Sequence, residues 1–404
     1  MHSLGRVLVL DGHSAAALAF TRSLGRAGHW VALGANQGVF APATLSRYCK
    51  LSFKYPVSTD DTAVFAASVA EFARKNGIEL IVPVTDWTTL PLSRHREQFE
   101  RICFLALPAR EALALASDKY RTVELARSLG VPVPSTWLLR SMQDVEALPE
   151  QIFPIVVKDR FSVRWVGDHS VFGSVTYAYS REDAFCKITN RLEQAGEVLI
   201  QDFVVGPGMG FSCFAIDGEI RLPFQWQRIR ETDPRGSGSS SRKSVPLDAE
   251  ILELSGKLIT RVGFEGIAMV EYKTEAASGR PVLMEINGRP WGSLQLAIAS
   301  GVDYPRYVAD RYLAGIAPPE AIPYQNGITC RRITGELTHL ENLRHGPPRE
   351  WPLPYPSFWT SLAKMAVPWY PGMRYDDLSF SDPRPGVAEI TNWFRVRLRR
   401  KLTK

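Results

Sequence analysis

Residues 266–292 read GIAMVEYKTEAASGRPVLMEINGRPWG, from Gly266 to Gly292. Two apolar runs, Ile267 to Lys273 and Pro281 to Ile286, flank a polar turn containing Ser278-Gly279, which predicts a β-hairpin. Side chains alternate with a period of two, so Ile267, Met269 and Glu271 share one face, and Leu283, Glu285 and Asn287 share another. A turn centred near Ser278 sets Glu271 directly opposite Glu285. Facing like charges destabilise a strand pair unless something positive lies between them. Glu, Glu and Asn offer only oxygen ligands, the chemistry of Mg²⁺ or Mn²⁺ rather than of a thiolate-type zinc site. The bland alternative, two solvated carboxylates on an open sheet face, stands equally well on residue pattern alone. Asn287, Arg289 and Trp291 follow at every second position.

In this order and spacing, Glu271 followed by Glu285-Ile-Asn287-Gly-Arg289 resembles the metal-binding segment of the ATP-grasp superfamily. The likeness is to its carbamoyl-phosphate-synthetase-like and carboxylate-amine ligase members in particular. The resemblance implies that Glu271, Glu285 and Asn287 hold Mg²⁺ on the phosphates of ATP, while Arg289 faces the acyl-phosphate side. It covers about Leu115 to Leu313 and raises the metal reading well above the bland one.

At 404 residues the chain is long enough for two or three domains. A hydrophobic content of 45% and a charged content of 22% are ordinary for a globular protein. No uninterrupted apolar run approaches the roughly 18 residues of a spanning helix, and Asp11-Gly12-His13 interrupts the apolar N-terminus that would otherwise suggest a signal peptide. Five scattered cysteines without a CxxC pair predict reduced core residues and a cytoplasmic location. The net charge of +6 is carried by Trp393 to Lys404, with six cations and no acid, so no nucleic-acid footprint is expected.

From the N-terminus, Arg6 to Asp11, a helix ending near Gly28, and His29 to Gly34 form a βαβ opening. A helix capped at Asp60-Asp61 and stopped at Asn76-Gly77 follows, then strands at Leu80 to Val84 and Cys103 to Leu107. Residues 1–115 are therefore expected to form a small Rossmann-like domain. The loop from Asp11 to Ala16 lacks the GxGxxG spacing of a dinucleotide site. Asp86 lies just past a strand's carboxyl end, where it either contacts a substrate amine or caps the next helix.

Ser117-Asp118-Lys119 opens a helix with Ser117 or Asp118 as cap, and a lysine in a first turn opposes the helix dipole unless an anion meets it. The resemblance assigns Lys119 and the strand-end Lys158 to nucleotide phosphate, and Gln201, Asp202, Phe203 and Val204 to the adenine edge. Residues 160–174 stand where relatives have a glycine-rich flap, but with only Gly167 and Gly173 beside Trp165 and Phe172. Gln227 to Lys243 reads either as a Gly/Ser linker or as a mobile loop whose Arg228 and Arg230 clamp a carboxylate. Residues 317–404 are rich in proline and aromatics. They are expected to form a lid, a partner surface, or a solvated basic tail able to lie on an anionic membrane.

The expected architecture is thus α/β: a Rossmann-like pre-ATP-grasp domain (1–115), a two-lobed α+β ATP-grasp domain (116–316) and a C-terminal extension (317–404). The expected activity is ATP-dependent ligation of a small carboxylate to an amine, amino acids among the candidates, with ATP and Mg (or Mn) as cofactors and a homodimer allowed for. Lys158 and Arg289 are the expected catalytic residues, with Asp86, Arg228, Arg230 and Arg289 on substrate. The alternatives are a small-molecule kinase built on the same site, or a non-catalytic ATP-binding protein.

Overall fold

The computed structural model describes residues 4–150, 152–166, 169–236 and 238–402. The first sheet is entirely parallel, in the order β3-β2-β1-β4-β5. It comprises β1 (Arg6–Val9), β2 (Trp30–Asn36), β3 (Cys49–Tyr55), β4 (Leu80–Val82) and β5 (Phe104–Leu105). β1 and β4 are wholly apolar at their centres because helices cover both faces. These are α1 (Ala15–Arg26), α2 (Thr62–Asn76) and α3 (Asp86–Arg94). Helix α2 is capped by Asp61, whose carboxylate accepts from the backbone N–H groups of Ala63 and Val64, and it ends at the left-handed Gly77. β3 has no counterpart in the expected strands, since its largely exposed residues carry no buried-strand signal.

Two short helices, α4 (Arg110–Ser117) and α5 (Lys119–Ser128), lead to a four-stranded antiparallel sheet. It contains β6 (Thr136–Leu139) and β7 (Ile155–Lys158) and, after the hairpin of β8 (Val163–Val166) and β9 (His169–Phe172), β10 (Val175–Ala178) and β11 (Val198–Asp202). The flap reading falls on β8 and β9, and its Gly167-Asp168 lies outside the described residues.

The third sheet has seven strands in the order β16-β15-β12-β13-β14-β17-β18. They are β12 (Gly208–Ile216), β13 (Glu219–Arg230), β14 (Ser241–Ser244), β15 (Gly266–Thr274), β16 (Pro281–Asn287), β17 (Thr329–Arg331) and β18 (Met373–Tyr375). One face packs Phe224, Trp226, Met269 and Trp291 against Val7, Val9 and Phe20 of the first sheet and its helix, forming one continuous core. The other face packs Phe211, Val270 and Tyr272 against the helix Ala249–Val262.

Four expectations are corrected. In the hairpin, Glu271 pairs with Glu285, but the register then shifts and Tyr272 pairs with Leu283. Met284 is the extra residue of a β-bulge, and Leu283 turns into the core beside Ile286 instead of sharing the Glu285 face. Arg228 and Arg230 belong to β13 rather than to a mobile loop, because β14 pairs with them. The C-terminal region is neither separate nor a loose tail: β17 and β18 complete the third sheet, and Arg384–Leu402 is a helix. All five cysteines are free, yet only Cys213 and Cys330 are buried and Cys186 is exposed.

Candidate active site

Asp11, at the end of the first strand, adopts a left-handed φ of 57°. Its buried carboxylate accepts from the backbone N–H of Val84 (3.2 Å), the backbone N–H of Thr85 (2.8 Å) and the hydroxyl of Thr88 (2.6 Å). This clasp fixes the loop after β4, where the Thr85 side chain caps α3 and Asp86 is the first helical residue. Asp86 is therefore free of capping duty. It accepts instead from Nη2 of Arg289 at 2.8 Å, joining the first sheet to the end of the Glu285 strand. Burial opposes ionisation of Asp86, but Arg289 more than offsets it and holds the carboxyl below its ordinary value.

Asp118 caps α5 through the N–H groups of Tyr120 and Arg121, and its two oxygens also receive Arg160 at 2.9 and 2.7 Å. The cap and the bidentate pair hold the first turn, and so Lys119, in place. Nζ of Lys119 donates to Ser162 Oγ at 2.9 Å. Lys158, 6% exposed, donates to Gln201 Oε1 at 2.7 Å, and Gln201 in turn donates to Thr136. Burial lowers the pKa of both lysines. Lys158 falls to about 8, pushed further by the charge of Lys119 and opposed by Glu285. Two neighbouring ammonium groups, Lys158 buried and Lys119 half-buried, are costly without an anion between them.

Across the crevice, Glu271 accepts from Arg228 Nη2 at 2.5 Å, and Asn287 Nδ2 donates to Glu285 Oε1 at 2.8 Å. Burial pushes the Glu271 carboxyl up against the pull of Arg228, and Glu285 on the neighbouring strand pushes the same way. Asn287 spends its N–H on Glu285, which leaves its amide oxygen for another donor or a metal. Among the described residues no three His, Cys, Asp or Glu side chains form a self-contained metal cage. Two carboxylates and an amide oxygen suit Mg²⁺, which takes its remaining ligands from water and phosphate. The residues present therefore fit a phosphate-bridging divalent cation.

Asp86, Lys119, Glu285 and Asn287, four of the residues singled out in the sequence, line one small cavity together with Ser162. Arg230 stands apart, drawn into an ion pair with Glu336. Asp202, Phe203 and Val204 lie at the end of β11 and beyond it. There Lys273 donates to the Val204 carbonyl at 2.9 Å and sits 4.7 Å from the Phe203 ring centre. Lys273 was missed, although the period of two along β15 carries it from Glu271. Trp351, packed edge-on against Phe203, gave no local signal. A larger cavity, about 660 Å³, opens on the other side of Glu271 and reaches Trp393 in the C-terminal helix.

A family model described as "ATP-grasp in the biosynthetic pathway with Ter operon" matches residues 196–336. A D-alanine--D-alanine ligase of Ectopseudomonas mendocina is 27% identical over 189 residues, covering 44% of this chain and 57% of the relative. A probable alpha-L-glutamate ligase of Thioalkalivibrio sulfidiphilus is 27% identical over 214 residues, covering 51% and 66%. The chain thus spans less than two thirds of either relative. Among solved structures, an L-amino acid ligase from Bacillus licheniformis superposes with a TM-score of 0.57 at 13% identity, over 78% of this chain and 75% of that one. The last likeness is one of fold: mixed α/β.

Proposed function

We propose that the chain is an ATP-grasp protein of the carboxylate-amine ligase type, which joins a small carboxylate to an amine with consumption of ATP. What supports the reading most is one observation: Lys119, Glu285, Asn287 and Asp86 line a single cavity, with Arg289 held on Asp86 at 2.8 Å, Glu271 paired across the hairpin with Glu285, and Lys158 at the end of β7. Two cations for phosphate, two carboxylates for a metal and an arginine for an acid are the parts this reaction needs. In this reading residues 1–115 form the Rossmann-like pre-ATP-grasp domain and 116–316 the two-lobed ATP-grasp domain, whose large sheet is completed by strands from 317–404.

A carboxylate oxygen attacks the γ-phosphorus, the bond to the β-phosphate oxygen breaks, and ADP leaves an acyl phosphate. The amine nitrogen then attacks the acyl carbon, the carbon–oxygen bond to phosphate breaks, and the nitrogen gives up a proton. Lys119 and Lys158 neutralise charge on the transferring phosphoryl group, and Arg289, held by Asp86, orients the carboxylate. Glu271, Glu285 and Asn287 would hold Mg²⁺, which supplies electrophilic charge at the phosphates when bound. Gln201, Asp202, Phe203 and Val204 form the adenine edge through their backbone, since the Gln201 side chain is committed to Lys158. Arg228 lies beside Glu271 and takes the substrate side of the site. Arg230, paired with Glu336, is left out of it.

The test is isotopic. With a pool of ¹⁸O-labelled amino acids and small carboxylates, a ligase transfers one ¹⁸O into released phosphate and forms an amide. Phosphate without label, or a stable phosphoester, contradicts the acyl-phosphate route.

A further inference from the structure

The 660 Å³ cavity beside Glu271 has walls from three distant parts of the chain. The loops after β1 and β2 give His13 and Phe40, the third sheet gives Trp226 and Met269, and the C-terminal helix gives Trp393 and Arg397. A volume of this order encloses a drug-sized molecule. A single small amino acid would leave most of it to water.

Its chemistry is uneven. Guanidinium groups of Arg228, Arg242, Arg332 and Arg397 line it with two carboxylates, Glu271 paired to Arg228 and Glu389 paired to Arg332. The acids that answer Arg242 and Arg397, namely Asp376 and Glu341, stand behind the wall. Burial together with Arg332 lowers the pKa of the His13 imidazole, against the pull of Asp11. Of the remaining lining, Phe40, Trp226 and Trp393 supply the large apolar faces and most other residues are small or polar. Trp393 is fixed by donating from Nε1 to Thr338 Oγ1 at 3.0 Å, and the Arg397 guanidinium lies 3.6 Å from its ring centre. Arg397 is itself tied to Glu341 at 2.7 Å. These groups are preorganised before any ligand arrives, which lowers the ordering cost of binding.

Resting on the ligase reading, we infer that this cavity, walled by the C-terminal helix, receives a substrate with an aromatic or comparably bulky apolar body and an anionic group. The body lies against Trp393 and Trp226, and the anion meets the guanidinium groups of Arg332 and Arg397, which also hold the carboxylates of Glu389 and Glu341. The C-terminal region then sets substrate choice while the Glu271–Glu285 hairpin carries the chemistry.

The experiment is calorimetric titration of the full chain, with Mg²⁺ and a non-hydrolysable ATP analogue, by indole-3-propionate, propionate and indole-3-propionamide. The aromatic acid is expected to bind at least tenfold more tightly than either control. Trp393→Ala should lose at least tenfold for the aromatic acid, and Arg397→Gln should erase the preference for acid over amide. Val396, on the cavity wall and 37% exposed, gives a variant that does not disturb the core: Val396→Trp should fill the space and abolish binding. Affinity for the ATP analogue should stay within twofold throughout. Absence of any preference for the aromatic acid, or binding untouched by Val396→Trp, overturns the inference. Loss of nucleotide binding by the unmodified chain would instead overturn the ligase reading on which it rests.

Discussion

Lys158 shows how burial sets a working pH. With its pKa lowered to about 8 by burial and by Lys119, the free protein holds this ammonium charged below that pH and loses it above. The affinity for Mg·ATP is therefore expected to fall as pH rises through about 8. Lys158→Arg, which cannot deprotonate, should flatten that dependence even if its affinity is lower at neutral pH. A KM for ATP that is level from pH 7 to 9.5 in the native chain would contradict the phosphate role. At this scale the sequence was informative wherever a residue broke a local rule. Facing carboxylates on paired strands, and a lysine against a helix dipole, both mark places where a ligand charge is missing. Arg230 broke no rule of that kind, and its pairing with Glu336 depends on a contact 106 residues away.

Elements explain what periodicity could and could not reveal. The alternation of β15 is regular, so Met269 and Glu271 were placed on one face from the sequence. The bulge at Met284 breaks the alternation of β16, and nothing in Pro281 to Asn287 announces it; the register shift is fixed by pairing with β15. Helix α5 was legible because Asp118 precedes it and Gly130-Val-Pro132 stops it. Its cap carries a second load in the two hydrogen bonds from Arg160. Asp118→Ala should therefore cost about 2 kcal/mol of stability, above a typical exposed cap, and should also raise the KM for ATP by loosening Lys119. Urea unfolding and a KM measurement check both; a change in neither would mean that Asp118 does not position the helix.

The whole molecule is tied together by groups that no local reading connects. Arg22 in α1 donates to the carbonyls of Asp376 and Asp377 and to the Asp382 carboxylate, so the first sheet and the C-terminal region are one unit. This is why residues 317–404, which looked separable by composition, complete the third sheet instead. Near this junction Asp377 is buried with one carboxylate oxygen unpartnered, and burial, with Glu389 and Asp376 adding to it, raises its pKa to about 7. A raised carboxyl binds its proton more tightly folded than unfolded, so stability falls as pH climbs from about 4 to about 7 and is level above. Asp377→Asn removes that dependence. The thermal midpoint of the variant, relative to the native chain, should rise over this range and stay constant at higher pH. A difference independent of pH would contradict the assignment.

The central claim is that the Glu271–Glu285 hairpin holds the metal through which ATP drives ligation. Its most direct test is ADP and phosphate release from Mg·ATP with pooled amino acids and small carboxylates, run beside Glu285→Gln. The account predicts release that requires an acid and an amine together. It also predicts a variant that folds normally, with a rate lowered more than about a hundredfold, upwards of roughly 2.7 kcal/mol in barrier. Near-native turnover by folded Glu285→Gln would contradict it.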